Sequence, residues 1–599
     1  MNGYVPEAAS PEGVSIRGDG YTAEAGWFGP EDRPRFGWLY RPDKPAPNGV
    51  GVVIVPPFGR EDICAHRTLR HLAEAAARAG FLALRFDLDG SGDSAGDDAD
   101  PDRIGAWIRS IGDGCDLVRS RGASQLVVVG VRLGATLAIQ AAQARSDVSA
   151  LVAVNAVVSG KAYLRELRAL QMAMDLVPPP CSSDEGGQET NGFLLNAEAC
   201  ERLKGFDLAA TAAPASRLWW LERDDLAERH TGWFDTWKSA GCQIVQRRIP
   251  GYTKMMDAPH ANRVAQELID ACIECATSMP ARSNAAPAGG QRELRSSIAL
   301  RVGENTIREQ VVNAGDCMFG ILAEPSKPTS GPALLILNAG AIRHIGSNRM
   351  SVPLARELAA DGWCVLRADL PGIGDSPAYP GEDENIVYGP HGAQDVAKLV
   401  DWLHARGARN ITVGGMCSGA YYAFRGALIA RQVSRIYMIN CGVFGATVDF
   451  DPDGPNFFGD VAHYSQSVKS TRAWRRLLAG KVAIGSVIHV AAWHLEQRTL
   501  RVLRNAARCL RVPLHDDLGY QLLALGRRGT FLHFLYSRGD PGRTLLANEA
   551  GSSLRRLRRR GRCDMQLFEG ADHTFTQRWA QSALHAALLK SLRWNPHEH

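Results

Sequence analysis

A glycine-flanked cysteine lies between two apolar segments in the second half of the chain. ITVGG at 411–415 predicts a buried strand, AYYAFRGALIA at 420–430 predicts a helix, and G-M-C-S-G joins them. A Cβ atom at Gly415 or Gly419 would collide with the neighbouring strand or helix in so tight a turn. The turn places Cys417 at a helix N-terminus, where the positive end of the helix dipole stabilises a thiolate. This pattern is typical of a nucleophile elbow and favours catalysis over a buried structural cysteine.

An acid and a histidine follow in the order that a catalytic triad of this kind requires. The predicted strand TFLHFLYSRGDPG ends at Asp540, and DMQLFEGADHTF ends at His573, 33 residues later. We expect His573 to be the general base for Cys417, with Asp540 fixing its tautomer and orienting its ring. Asp572 is a rival acid, although adjacent side chains on a loop usually point apart.

Two backbone amides would form an oxyanion hole for this nucleophile. The first is the N–H of Ser418, the residue after the cysteine, and the second should come from the loop that follows LLILNAG. The candidates in that loop are Ala339, Gly340 and Ala341, with Ile342 at its end. His344 lies in the same loop and either contacts the substrate or is an exposed loop residue.

The chain repeats itself once. Residues 65–96 and 347–378 share an amphipathic helix, a strand and a D-L-x-G-x-G-D-S turn, whose first aspartates, Asp87 and Asp369, are 282 positions apart. The elbow glycines Gly130 and Gly415 are 285 positions apart. So steady an offset predicts tandem duplication. The turn is present in both copies and has the wrong glycine spacing for phosphate binding, so we expect it to be architectural.

The first copy lacks the residues for the same chemistry. Its elbow reads G-V-R-L-G and places Arg132 where the nucleophile belongs, and a guanidinium cannot attack a carbonyl. Asp225 (or Asp224) occupies the acid position, but Lys254 aligns with His573. His260 could serve as a base but would have no nucleophile to activate. We expect this copy to be inactive, with Arg132 either paired to Asp225 or binding a carboxylate or phosphate.

These motifs define the organisation of the chain. We expect an inactive domain at 13–277, an Ala-, Gly- and Pro-rich linker at 278–292 and an active domain at 293–599. Each copy begins with short antiparallel strands and then alternates strand and helix, which predicts an α/β class with two doubly wound, mostly parallel sheets. Extra sequence between elbow and acid predicts a helical lid in each copy. In the second copy the lid spans 444–524 and holds Trp474 and Trp493.

The duplicated pattern, the elbow and the downstream acid and histidine resemble the α/β-hydrolase superfamily over nearly the whole chain. PPFGREDICAHRTLRHLA and LNAGAIRHIG resemble bacterial serine-aminopeptidase-like hydrolases, including those associated with exosortase systems. Superfamily members with a cysteine nucleophile resemble dienelactone hydrolases, polyhydroxyalkanoate synthases and bile-acid-type N-acyltransferases. That resemblance implies lactone, ester or acyl thioester substrates.

Three functions remain open from the sequence. The first is a cysteine-dependent acyl hydrolase of thioesterase or esterase type, which acts through an acyl-cysteine intermediate. The second is an acyltransferase that passes an acyl group from coenzyme A or a carrier protein to an amine or alcohol. The third is a non-catalytic pseudo-hydrolase scaffold. The proposed chemistry needs no metal and no organic cofactor, and the single pair Cys272 and Cys275 has no second metal-ligating pair nearby.

Two arginine clusters bear on possible partners. They could attract an acidic acyl carrier protein or the phosphates of coenzyme A, or simply form a solvated face. A membrane-surface role is the weakest of these interpretations. The first cluster recurs every three or four residues: Arg498, Arg501, Arg504, Arg508 and Arg511. The second comprises Arg555, Arg556, Arg558, Arg559, Arg560 and Arg562.

Composition excludes several classes of protein. The 599 residues are 45% hydrophobic and 22% charged, which argues against wholesale disorder. A net charge of +4 is too small for a dedicated nucleic-acid-binding protein. No apolar run approaches the length of a transmembrane helix, and the first residues lack the pattern of a signal peptide, so we expect no stable membrane insertion. Thirteen scattered cysteines without an export signal fit a reducing compartment, which predicts a cytoplasmic protein.

Overall fold

The structure is a computed structural model, and it describes residues 14–174, 186–226, 232–281, 292–315, 317–327, 331–445, 514 and 517–593. Most of the predicted second lid, including Trp474, Trp493 and the arginine cluster from Arg498 to Arg511, lies outside these residues.

Eleven strands are described in the first copy. They are β1 (Ser15–Gly18), β2 (Tyr21–Phe28), β3 (Arg35–Pro42), β4 (Val50–Val55), β5 (Leu82–Phe86), β6 (Gln125–Val131), β7 (Val148–Val154), β8 (Gln188–Thr190), β9 (Phe193–Leu195), β10 (Arg217–Arg223) and β11 (Gln243–Ile249). Nine of them form a sheet in the order β1-β2-β3-β5-β4-β6-β7-β10-β11. The pairs β1–β2, β2–β3 and β3–β5 are antiparallel, and every pair from β5–β4 onward in this order is parallel.

Eight helices accompany these strands among the described residues. They are α1 (Arg60–Arg78), α2 (Arg103–Ser120), α3 (Leu133–Ala142), α4 (Gly160–Ala173), α5 (Ala197–Lys204), α6 (Phe234–Ser239), α7 (Tyr252–Met255) and α8 (Gln266–Thr277). Between β7 and β10, helices α4 and α5 and the β8–β9 hairpin form an insertion that is partly helical, at the position predicted for a lid.

The second copy repeats this arrangement. Its strands are β12 (Ser297–Val302), β13 (Asn305–Ala314), β14 (Met318–Pro325), β15 (Ala333–Leu337), β16 (Cys364–Ala368), β17 (Ile411–Met416), β18 (Val433–Ile439), β19 (Phe531–Ser537) and β20 (Cys563–Phe568). Their order, β12-β13-β14-β16-β15-β17-β18-β19-β20, matches that of the first sheet element for element. The predicted tandem α/β fold is therefore confirmed, while descent from one duplicated domain stays a prediction.

Six helices are described in the second copy: α9 (Ser351–Ala360), α10 (Gly392–Ala405), α11 (Ser418–Ile429), α12 (Leu518–Arg527), α13 (Pro541–Arg559) and α14 (Arg578–Arg593). Every residue of β6 and β17, the strands that lead into the two elbows, is buried. Continuous apolar strands of this kind are typical of a parallel sheet covered on both faces. This burial fixes the strand ends that carry the elbow residues.

Contacts group the chain into two compact units. Unit 1 comprises Met1–Thr329, Ala341–Ile386 and Thr576–His599, and unit 2 comprises Ser330–Gly340 and Val387–Phe575. The domain boundaries drawn from the sequence repeat, 13–277, 278–292 and 293–599, stay a prediction.

The repeated D-L-x-G-x-G-D-S turns both lie in unit 1 and have the same hydrogen bonds. Asp93 N donates to Asp87 Oδ2 at 2.9 Å, and Asp375 N donates to Asp369 Oδ2 at 3.0 Å. The serine after each of these donors bonds to the backbone carbonyl of the turn's first aspartate at 2.7 Å. The aspartate side chains hold the turns closed, in agreement with the architectural role expected from the sequence.

Each turn also takes part in a buried charge cluster, and the two clusters mirror each other. In the first, Arg367 and His344 donate to the carboxylate of Asp93. In the second, Arg85 and His66 donate to the carboxylate of Asp375. We call this set the reciprocal clamp: Asp93, Arg367 and His344 with Asp375, Arg85 and His66.

The clamp corrects one expectation. His344 neither faces a substrate nor lies on an exposed loop, since its side chain is fully buried between Asp93, at 2.6 Å from Nε2, and Asp369, at 2.8 Å from Nδ1. Burial lowers the pKa of this histidine, but the two carboxylates outweigh burial and raise it to about 10. His344 is therefore an imidazolium that neutralises two buried carboxylates.

Candidate functional site

The residues of the candidate site belong to unit 2 and begin at the end of β17. Cys417 has a φ of +56° and a ψ of −113°, a strained conformation for a residue with a Cβ atom, and helix α11 begins directly after it. A Cβ atom at Gly415 would lie 2.9 Å from the backbone of Gly419. One at Gly419 would lie 2.6 Å from the carbonyl oxygen of Asn338. The two glycines therefore permit the close approach that a nucleophile elbow needs.

Asp540 and His573 meet at the ends of neighbouring strands. His573 Nδ1 lies 2.6 Å from Asp540 Oδ2, and the Asp540 side chain is fully buried. The other carboxylate oxygen, Oδ1, caps helix α13 by accepting from Gly542 N at 2.8 Å. The rival acid Asp572 instead accepts from the Thr574 hydroxyl at 3.1 Å. Asp540 is thus the carboxylate that orients the histidine ring.

The Cys417 thiol and the His573 imidazole shift each other's pKa. Burial raises the pKa of Cys417, but hydrogen bonds from His573, Tyr388 and the Ser418 backbone N–H outweigh burial and bring it below its ordinary value. Burial lowers the pKa of His573, while the bonds to Asp540 and Cys417 raise it to about 10. The two shifts favour a thiolate–imidazolium pair at neutral pH.

Tyr388 is a site residue that the sequence analysis missed. It precedes helix α10, 29 positions before the elbow, and no motif or periodicity marks it. Its ring contacts those of Tyr421 and Tyr422, with centroids 5.2 Å and 6.4 Å apart. Burial and the nearby Cys417 raise the pKa of Tyr388, so its hydroxyl stays protonated and can donate to the sulfur.

Asn440 was also missed, and it fixes the backbone around the histidine. It follows β18 with a φ of +46°. Its Nδ2 donates to the backbone oxygen of His573 at 2.6 Å, and its Oδ1 accepts from Ser537 N at 2.8 Å. Asn440 therefore ties the histidine loop to the ends of two strands. Its equivalent after β7, Asn155, has the same φ.

The predicted oxyanion donors are only partly arranged for that role. The Ser418 N–H points at the Cys417 sulfur. The Gly340 N–H donates to the Ser418 hydroxyl at 2.8 Å, so it is occupied within the protein. Ala339 is buried, and Ala341 is half-buried and belongs to unit 1. A ligand oxygen would have to replace the Ser418 hydroxyl to use the Gly340 amide.

The first-copy elbow has the same backbone geometry but different chemistry. Arg132 has a φ of +53° and a ψ of −121°, close to the values at Cys417. Its guanidinium pairs with Glu61 at 2.7 Å and Glu166 at 2.5 Å. The expected pairing with Asp225 is wrong, since Asp225 binds Arg223 instead. Two acidic residues from α1 and α4 therefore neutralise the arginine in this elbow.

In the first copy, Lys254 aligns with His573, and His260 is the possible base. Lys254 is exposed and lies 3.4 Å from Asp257. His260 is half-buried, and burial lowers its pKa.

Three side chains in unit 1 come close enough to hold a metal ion: His344, Asp369 and Asp375. Both ring nitrogens of His344 already bind carboxylates, and Arg85 donates to Asp375. A cation would displace these positive groups from buried partners, so the cluster does not fit a metal. Cys272 and Cys275 are buried in α8, where burial raises the pKa of both thiols.

In the second arginine cluster, five residues are exposed at the C-terminal end of α13 and just after it: Arg555, Arg556, Arg558, Arg559 and Arg560. Arg562 is half-buried and donates to the carbonyl oxygen of Gly529.

Two family models match the chain, one in each copy. The alpha/beta hydrolase family matches residues 343–583, and the serine aminopeptidase S33 family matches residues 64–182. Each copy is therefore similar to an α/β-hydrolase family, and neither match spans half of the chain. The second match agrees with the resemblance to serine-aminopeptidase-like hydrolases, while the likeness to exosortase-associated members stays a prediction.

Solved structures similar to the chain align with less than half of it. Est1E from Butyrivibrio proteoclasticus with ferulic acid bound is 14% identical, with 42% of this chain and 98% of that chain covered and a TM-score of 0.32. Proline iminopeptidase from Mycobacterium smegmatis is 11% identical, with 43% and 98% covered and a TM-score of 0.31. An esterase from Pyrococcus furiosus is 15% identical, with 45% and 97% covered and a TM-score of 0.31.

No curated protein matches the chain. Among the described residues, no helix is both long enough and apolar enough to cross a membrane.

Proposed function

We propose that the second α/β-hydrolase copy is a cysteine-dependent acyl hydrolase of thioesterase or esterase type. The observation that supports it most is the series Asp540–His573–Cys417, in which Asp540 Oδ2 lies 2.6 Å from His573 Nδ1 and His573 lowers the pKa of Cys417. Such a series stabilises a thiolate and supplies a proton to the group that leaves.

Acylation is the first step of the proposed reaction. The Cys417 thiolate attacks the carbonyl carbon of an ester or thioester, and the carbonyl electron pair moves onto oxygen. Collapse of this tetrahedral adduct breaks the bond to the leaving group, which takes the proton from His573 Nε2. The products are an acyl-cysteine, a free thiol or alcohol, and a neutral His573.

Deacylation restores the resting state. The neutral His573 takes a proton from water as the water oxygen attacks the acyl-cysteine carbonyl. Collapse releases a carboxylic acid and re-forms the Cys417 thiolate beside the imidazolium. Asp540 accepts the Nδ1–H of His573 throughout, and Tyr388 donates to the sulfur whenever it carries charge.

If an amine or alcohol attacked the acyl-cysteine in place of water, the enzyme would be an acyltransferase. A thioester stays reactive towards amines, so a cysteine nucleophile supports this second candidate. The exposed arginines at the end of α13 could then attract coenzyme A or an acidic carrier protein. The scaffold alternative is weaker, because the shifted pKa values of Cys417 and His573 have no role in it.

Steady-state turnover of acetyl- and hexanoyl-N-acetylcysteamine thioesters tests the proposal. We expect hydrolysis by the native protein and none by Cys417→Ala. Cys441→Ala is the matched control, because Cys441 is a buried cysteine whose thiol donates to the Val443 carbonyl and whose pKa burial raises. Turnover by Cys417→Ala, or none by the native protein, would contradict the proposal. Addition of glycine or ethanol as acceptor separates hydrolase from transferase.

A further inference from the structure

A cavity of about 290 Å³ lies within unit 1, apart from the residues of the candidate site. Its walls come from the loops after β4 and β5, from residues 345–357 and from helix α14. A water molecule in the liquid takes up about 30 Å³, so the cavity has room for a small organic molecule.

Arg349 lines this cavity without a carboxylate partner among the described residues. Its Nε donates to the Gly92 carbonyl oxygen at 2.8 Å, and its Nη2 donates to the Ser94 carbonyl oxygen at 2.9 Å. Burial and the positive charges of Arg356 and Arg103 lower the pKa of Arg349 to about 10, against the opposing effect of Asp97 and Asp93. A half-buried guanidinium whose hydrogen bonds all go to neutral carbonyls is stabilised by an anion that reaches it.

Arg103 forms a second positive group on the same wall. It is 3% exposed, and its Nη1 donates to the Asp97 carbonyl oxygen at 2.7 Å. Its Nε is buried with no hydrogen-bond partner in the described part of the chain, which is an unusual cost for a charged group. Among the described residues, neither of these two arginines has a carboxylate within ion-pair distance, although Asp97 and Asp98 attract Arg103.

The backbone that carries Arg349 is strained. Asn348 has a φ of +51° and Arg349 a φ of +64°, so two successive residues with side chains adopt the left-handed conformation. This conformation is unfavourable for a residue with a side chain and persists only where its surroundings enforce it. Here the strain brings the Arg349 guanidinium against the turn of the first copy.

The remaining walls define which anion would fit. Apolar side chains contribute much of the surface: Phe58, Ile63, Phe193, Ile345, Met350 and Pro353. Acidic side chains also line it, namely Asp62, Asp97, Asp98 and Glu357. Arg578 pairs with Asp98, so this carboxylate is neutralised, and His585 Nε2 lies 3.1 Å from Glu357. The acidic lining disfavours a multiply charged ligand such as a phosphate ester, whereas a single carboxylate with an apolar body matches both surfaces.

We propose that this cavity is a second ligand site, which binds a small organic monocarboxylate with its carboxylate on Arg349 and its apolar body against the phenylalanine-lined wall. The site is separate from the proposed catalytic residues and lies in unit 1. Its occupancy does not depend on Cys417 being a nucleophile.

Isothermal titration calorimetry with hexanoate tests this site in the full chain. Cys417 is first blocked with iodoacetamide, so that binding of an acid at the proposed catalytic site does not contribute. We expect one hexanoate per chain, with hexanamide and inorganic phosphate binding at least about tenfold more weakly, since a hydrogen bond to a charged group is worth more than one such factor.

Variants locate the binding. Arg349→Gln should weaken hexanoate binding by about tenfold or more. Ser582→Phe places a large ring over the cavity from an exposed position of α14 and should abolish binding, while Ala583→Phe, an exposed neighbour outside the cavity lining, should leave it unchanged. The Ser582 pair keeps the test decisive if Arg349→Gln fails to fold. No saturable binding, equal binding by Ser582→Phe, or phosphate binding tighter than hexanoate would overturn the proposal.

Discussion

Asp540→Asn should weaken the nucleophile without unfolding the protein. The carboxylate accepts the Nδ1–H of His573 at 2.6 Å from a fully buried position, which stabilises the imidazolium beside the Cys417 thiolate. Asparagine keeps an oxygen for the α13 cap, where Oδ1 accepts from Gly542 N, and it is as good a capping residue as aspartate. The substitution therefore removes the negative charge beside His573 and keeps the helix cap.

The size of the effect follows from that one hydrogen bond. A bond to a charged group contributes about 1.5–3 kcal/mol, which corresponds to about one to two pKa units for His573. Because the Cys417 thiolate is coupled to the imidazolium, the equilibrium constant between the ion pair and the neutral pair should fall by about tenfold to one-hundredfold. The rate of alkylation at pH 7 should fall by up to the same factor, since only the thiolate reacts.

Iodoacetamide alkylation, followed by peptide mass spectrometry at Cys417, measures this rate directly. Asp572→Asn is the matched control, because it removes the adjacent carboxylate, which accepts a hydrogen bond from the Thr574 hydroxyl. Equal rates for Asp540→Asn and the native protein would refute the proposed ion pair. An equal loss in Asp572→Asn would show that general electrostatics, not the contact with Asp540, sets the thiol pKa.

Three further predictions follow from the same contacts. Tyr388→Phe removes a hydrogen-bond donor to the Cys417 sulfur. A hydrogen bond to a charged group contributes about 1.5 kcal/mol, so iodoacetamide alkylation of Cys417 at pH 7 should slow about tenfold. An unchanged rate would exclude that bond. The rate of Cys417 alkylation should rise with pH through the lowered thiol pKa and then stay level. Turnover should rise in the same way but fall again above about pH 10, where His573 loses the proton that the leaving group needs. A stopped-flow pH profile of turnover without that fall would contradict the role of His573 as the acid. Arg367→Leu removes the guanidinium that pairs with the buried carboxylate of Asp93. The free energy of unfolding, measured in urea, should fall by about 3–5 kcal/mol. A fall below about 1 kcal/mol would mean that the reciprocal clamp contributes little to stability.

The elbow could be anticipated because its signal is local. Glycines at 415 and 419 around a cysteine, with a strand before and a helix after, leave few conformations for the turn. The positions of Asp540 and His573 follow from chain order and strand ends. The repeat predicted two similar sheets because the same pattern of strands and turns occurs twice.

The errors and omissions concern partners that are distant in sequence. Arg132 pairs with Glu61 and Glu166, 71 and 34 positions away on α1 and α4, and nothing near the elbow indicates them. The local pattern of His344 is that of a loop residue, and its burial depends on Asp93, 251 positions earlier. Tyr388 reaches the sulfur from a segment without any motif. These contacts depend on how distant segments pack together, and no local pattern in the sequence predicts that packing.

Intact-protein mass spectrometry after brief mixing with hexanoyl-N-acetylcysteamine tests the central proposal most directly. We expect a mass increase of one hexanoyl group on the native chain, located by peptide mapping at Cys417. The adduct should persist in Asp540→Asn, form in Cys441→Ala and be absent from Cys417→Ala. An adduct at another residue, or turnover of the thioester without any dependence on Cys417, would contradict a covalent acyl-cysteine mechanism.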